Sequence, residues 1–126
     1  MSPPASDPHS CGGPTVIVVD DEPSFRLSLA EALRDDGHPV LDYPSATAVP
    51  PLDTLPPDAV LLTNFEMPGL SGIELADAFR RAHPHGLVIL LSASAIDGGP
   101  IAARPWLRFV SKPVDYPTLH QLMHTP

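Results

Sequence analysis

Residues 15–26 read TVIVVDDEPSFR, and the reading of the whole chain starts from how that stretch divides. Residues 15–19 are a short, β-branched and almost wholly apolar run, the pattern of a strand buried on both faces. Asp20, Asp21 and Glu22 end it, and Pro23 suits the first turn of a helix. Phe25, Leu29 and Leu33 then recur every four residues, which predicts a helix to about Asp36, with Gly37 as its stop. The pattern repeats downstream. Residues 39–43 (PVLDY) read as a second strand and Ala59–Leu62 as a third. Ser71 can cap a helix carrying Ile73, Ala76 and Phe79 on one face and ending near His83-Pro84. Leu87–Leu91 reads as a fourth strand, Phe109-Val110 anchors a fifth, and Tyr116–His124 forms a terminal helix. Strands alternating with helices through short loops make an α/β domain with a parallel sheet.

Composition bounds the function. The chain has 126 residues and 43% apolar side chains, enough for one domain with a core. Its net charge of −8 argues against general nucleic-acid binding, which needs a basic footprint. No apolar run is long enough to span a bilayer. The opening MSPPASDPHSCGGP has neither the basic flank nor the apolar stretch of a secretory signal, and the single cysteine, Cys11, cannot form an internal disulfide. We therefore expect a disordered leader over residues 1–14, a single domain over 15–126 and a cytoplasmic location. The 18 prolines cluster in three places, one of them this leader. The other two, VPPLDTLPPD and IDGGPIAARP, should shorten the second and fourth helices, because glycine and proline cost roughly 1 and 3 kcal/mol in a helix interior.

In a parallel sheet the functional crevice lies at the carboxyl ends of the strands, near the switch in strand order. Asp20 and Asp21 stand at the end of strand one, Thr63 and Asn64 at strand three, Ser92 at strand four, and Lys112-Pro113 at strand five. Adjacent carboxylates suit a hard divalent cation such as Mg²⁺. The plain alternative is that Asp20–Glu22 is a turn whose acids favour the positive end of the next helix. Lys112 is the one lysine beside six arginines, a compact charge suited to a phosphate or carboxylate.

Four stretches, VIVVDDEPSFR, NFEMPGLSGIEL, VILLSAS and FVSKPVD, come in an order and at a spacing that resembles the receiver domain of two-component response regulators, over about residues 15–124. The resemblance implies a flavodoxin-like, doubly wound five-stranded parallel sheet. It also implies a domain that takes a phosphoryl group from a histidine kinase or a small phosphodonor onto an aspartate ending the third strand. Asp20 and Asp21 then match the acidic pair that helps hold Mg²⁺, and Glu66 sits where the family uses a backbone carbonyl as metal ligand. Ser92 matches the hydroxyl that contacts the phosphoryl group and Lys112 the lysine that pairs with it. Pro113 matches a proline usually held in cis, and Phe109 an aromatic switch position.

One departure decides the function. Counting back four from Pro68 puts Asn64 at the acceptor position; counting forward from Pro57-Asp58 points to Thr63. Neither is the carboxylate nucleophile that aspartyl-phosphate formation needs. With two carboxylates in place of three, Mg²⁺ binding is weakened, and the Asn64 amide can donate to Asp20 or Asp21 instead. The first reading is a receiver that works without phosphorylation, through a protein partner such as a sensor kinase or downstream effector. The second is an ordinary receiver, stand-alone or cut from a longer chain, carrying an aspartate-to-asparagine substitution. A small Mg²⁺-dependent phosphatase would need a nucleophile and general acid together, and Asn64 and Ser92 do not offer them. Trp106 reads as core filling beside a shortened helix or as an anchor for a protein partner. The sequence carries no reading of oligomeric state.

Overall fold

The computed structural model describes residues 14–67, 69–93 and 101–124. Its strands are β1 (Val16–Val19), β2 (Val40–Tyr43), β3 (Val60–Asn64), β4 (Val88–Ser92) and β5 (Leu107–Ser111); the α-helices described from end to end are α1 (Pro23–Asp35), α2 (Gly72–Ala82) and α3 (Tyr116–His124). All neighbouring strands pair in parallel, in the order β2-β1-β3-β4-β5. This is the doubly wound, flavodoxin-like sheet expected from the sequence. The strand order reverses at β1, so the crevice opens where β1 and β3 end.

Both faces of the sheet are buried, as the continuous apolar runs require. Val16, Val18, Leu62 and Leu91 pack with Leu29 and Leu33 of α1 and Leu119 of α3. Their alternates Ile17, Val19, Leu61 and Leu90 pack with Leu75 and Phe79 of α2. Leu75, rather than Ile73, is the fully buried residue beside Ala76 and Phe79, and Ile73 is half-buried at the rim. The third strand runs two residues beyond Leu62 because Thr63 and Asn64 keep pairing with Leu90 and Leu91.

Local signals explain the helix ends. Glu22 caps α1, its carboxylate accepting from the Phe25 N–H at 2.7 Å. Gly37 follows the helix at φ 94°, where a side chain would be strained. At α2 the Ser71 hydroxyl accepts from Glu74 N–H while the Glu74 carboxylate accepts from Ser71 N–H, a reciprocal capping box. The proline-rich second crossover holds single 3₁₀ turns at Ala46–Ala48 and Leu52–Thr54 in place of an α-helix. The expected leader up to residue 13, and residues 96–100 of the segment expected to shorten the fourth helix, lie outside the described residues. No helix among the described residues is long and apolar enough to cross a membrane.

Two polar clamps tie the helices to the rest of the fold. Arg104, before β5, donates from Nε and Nη2 to the two carboxylate oxygens of Asp77 on α2, each at 2.7 Å. That bond holds the Asp77 carboxyl below its ordinary value, with burial opposing and Arg81 adding a smaller favourable charge. Tyr116 and His120 of α3 both reach Asp36, at 3.1 and 2.8 Å. Burial, then the bond to Asp36, pushes the Tyr116 phenol up to about 12.

Candidate functional site at the strand ends

The carboxyl ends of β1, β3, β4 and β5 bring Asp20, Asp21, Asn64, Ser92 and Lys112 together as the sequence reading placed them. Asp20 is fully buried. Its Oδ1 accepts from the Glu22 N–H at 2.9 Å and its Oδ2 from Lys112 Nζ at 2.8 Å. Lys112 Nζ also stands 4.2 Å from the centroid of the Phe25 ring, and the Lys112-Pro113 peptide is cis. Thus the acidic turn divides in role: Glu22 serves as the helix cap, whereas Asp20 and Asp21 face the crevice.

Side chains alternate along a strand, so only one of Thr63 and Asn64 can point there. Asn64 does. Its Nδ2 donates to the Glu66 carbonyl at 2.6 Å and makes a long contact of 3.5 Å to Asp21 Oδ1. Thr63 is fully buried, its hydroxyl donating to the Asn64 carbonyl at 3.1 Å. The expected amide-to-carboxylate contact therefore forms with Asp21 and not Asp20, and the shorter bond goes to a carbonyl.

Two contributors escaped the sequence reading. The Glu66 side chain folds back over the strand ends, where the buried Ser92 hydroxyl donates to its two carboxylate oxygens at 3.1 and 3.0 Å. A glutamate two residues past a strand end carries no sequence mark of that role. Gly72 lets the first turn of α2 rest directly on β3: a Cβ there would stand 2.3 Å from the Asn64 carbonyl oxygen. The Ser71-Gly72 pair at a helix start was the available signal.

The residues do not fit Mg²⁺ as they stand. The Asn64 amide nitrogen already bridges the Glu66 carbonyl and Asp21, two of the oxygens the resemblance assigns to the metal, and presents them with N–H donors. Asn64 Oδ1 is a buried acceptor with no hydrogen-bond partner among the described residues. Turning the amide would set that oxygen against the Glu66 carbonyl, two acceptors with no proton between them. No group of three or more His, Cys, Asp or Glu among the described residues is arranged to hold a metal ion.

Phe109 lies in β5 opposite Leu90, half-buried against the α2-side core. Trp106 joins the same core, with the Arg80 guanidinium 5.0 Å from its ring centroid. It lines a cleft of about 470 Å³ with Val60 and Leu87, at the opposite end of the strands from Asn64.

Comparison with known proteins agrees with this fold. The profile described as "Response regulator receiver domain" matches residues 16–124. The chain is 32% identical over 108 residues to a response regulator receiver protein of Anaeromyxobacter sp. (strain Fw109-5), covering 84% of this chain and 45% of that protein. It is 33% identical over 103 residues to the transcriptional regulatory protein TcrA of Mycobacterium tuberculosis, covering 72% of this chain and 40% of that protein. The chain thus spans less than half the length of these relatives. A response regulator receiver domain protein from Clostridium thermocellum superposes with a TM-score of 0.77 at 26% identity, covering 88% of this chain and 91% of that one. By sequence and by fold, the chain belongs to the response regulator receiver domain family of two-component signalling.

Proposed function

We propose that this receiver domain signals without taking up a phosphoryl group, by binding a protein partner, a sensor kinase or an effector, in the cytoplasm. The observation that carries the reading is Asn64: the side chain at the end of β3 that faces the crevice is an amide, bonded through Nδ2 to the Glu66 carbonyl. A carboxamide is a far poorer nucleophile toward a phosphodonor than the carboxylate that forms an acyl phosphate. In this reading Asn64 stands at the acceptor position, Ser92 and Lys112 keep the phosphoryl-contacting positions, Phe109 and Pro113 keep the switch positions, and Asp20, Asp21 and the Glu66 carbonyl keep the metal-ligand positions, whose fit to Mg²⁺ the Asn64 amide removes.

The retained Lys112–Asp20 pair supports a second reading, a pocket competent but for one residue. Intact mass after incubation with Mg²⁺ and acetyl phosphate separates the two, run on the unmodified protein and on Asn64→Asp. No adduct on the unmodified chain is expected. An adduct there means that another residue accepts phosphate, and the proposal falls. An adduct confined to Asn64→Asp identifies a competent pocket silenced by one amide.

A further inference from the structure

Glu66 is held at both ends. Its carbonyl takes the Asn64 amide at 2.6 Å, and its carboxylate takes the Ser92 hydroxyl through both oxygens, at 3.0 and 3.1 Å. Asn64 ends β3 and pairs with Leu91, so Ser92 is the next residue along the neighbouring strand. The residue is otherwise exposed. An exposed glutamate is well solvated, and folding it over a buried hydroxyl costs rotamer freedom. A charge-assisted O–H···O⁻ bond, roughly twice as strong as a neutral one, offsets that cost. The result draws the loop after β3 across the strand ends, with an anion supplied by the chain itself seated on Ser92. Meanwhile the one ammonium of the crevice is committed to Asp20.

We infer that the Glu66 carboxylate is a positioning group, the built-in oxyanion of this site. It fixes the Ser92 hydroxyl and latches the chain just after β3 over the strand ends, so that an incoming oxyanion must displace it. This deepens the reading above and rests on it for what a closed site means. Asn64 thus removes the nucleophile and Glu66 occupies the hydroxyl, two of the groups a phosphoryl donor would need.

The test uses backbone amide spectra of the full chain and of Glu66→Ala and Glu66→Gln, in Mg²⁺-free buffer. Glu66→Ala should move the Ser92 and Ala93 signals and those of residues 69–72; Glu66→Gln, which keeps one acceptor oxygen, should move them less. Ser92 and Ala93 signals unchanged in Glu66→Ala would overturn the latch. A kinetic arm asks whether the carboxylate contests the site. Asn64→Asp with Glu66→Ala should take phosphoryl from acetyl phosphate several-fold faster than Asn64→Asp alone, and an equal or slower rate would overturn the inference. Where neither variant is modified, the spectra alone decide. An adduct on the unmodified chain sinks the phosphorylation-independent reading without touching the spectral test of the latch.

Discussion

Lys112 Nζ donates to Asp20 Oδ2 at 2.8 Å, joining the ends of β5 and β1 across 92 positions of sequence. The Asp20 side chain is 1% exposed and that of Lys112 17%. Such a pair stabilises little against an apolar replacement of both partners, but breaking it strands a buried charge. Lys112→Met should therefore cost about 3 kcal/mol, leaving Asp20 with the Glu22 N–H as its remaining side-chain partner. Urea unfolding measures this, and a midpoint matching the unmodified chain would contradict it. Lys112→Arg should restore only part, because a planar fork replaces a point charge.

The contact between α2 and β3 gives a sharper steric test. Gly72→Ala places a Cβ against the Asn64 carbonyl, which is backbone and cannot swing aside. We expect a loss of about 2–3 kcal/mol and displaced Asn64 and Phe65 amide signals. Gly69→Ala meets no atom within 4 Å and carries only the cost of its φ of +79°, about 1 kcal/mol. Equal losses at the two positions would refute the steric account.

Asp77 sets a prediction in acid. The Arg104 hydrogen bond keeps the folded carboxyl below its ordinary value of 3.8, so the unfolded chain binds the proton first. The contribution is complete above that value and is lost as pH falls through the lower, folded one. Both partners are partly exposed, which limits the clamp to about 1 kcal/mol at neutral pH. Asp77→Asn should lose that stability at neutral pH and show a shallower decline below about pH 4. A constant difference from the unmodified chain down to acid would contradict the assignment.

Replacing the amide by a third carboxylate should reverse the balance at the strand ends. Asn64→Asp sets an anion beside Asp21 and the Glu66 carbonyl, and like charges at that range disfavour ionisation. We expect about 2 kcal/mol of lost stability in metal-free buffer, largely restored by Mg²⁺. An unchanged melting temperature would sink the idea.

Much of this architecture is legible in the sequence. Apolar runs with no polar alternation announce strands covered on both sides, so residues 15–19 and Leu87–Leu91 could be read at once, each within one residue of the strand observed, and Gly37 and Ser71 mark helix ends by backbone need alone. The convergence of Asp20, Asn64, Ser92 and Lys112 follows from the sheet topology. What lay beyond reach depends on loop geometry. The choice between Thr63 and Asn64 turns on strand phase, which two conflicting counts could not settle. The partner of the Asn64 amide is a carbonyl two residues on, fixed by how the chain leaves β3. Glu66 shows the same limit: its carboxylate matters because the loop folds back, and no residue pattern marks that fold. Leu75 outranks Ile73 because α2 meets the sheet slightly rotated from the face its apolar spacing suggested.

Whether the Asn64 amide holds the oxygens a metal would need is tested by an amide spectrum of the unmodified protein titrated with Mg²⁺. The Asn64 side-chain NH₂ is itself observable there. Its signals, and the backbone signals of Asp21 and Glu66, should stay in place at millimolar Mg²⁺. Saturating shifts of these signals would mean that the amide yields its two oxygens to the metal, and that Asn64 does not close the site to Mg²⁺.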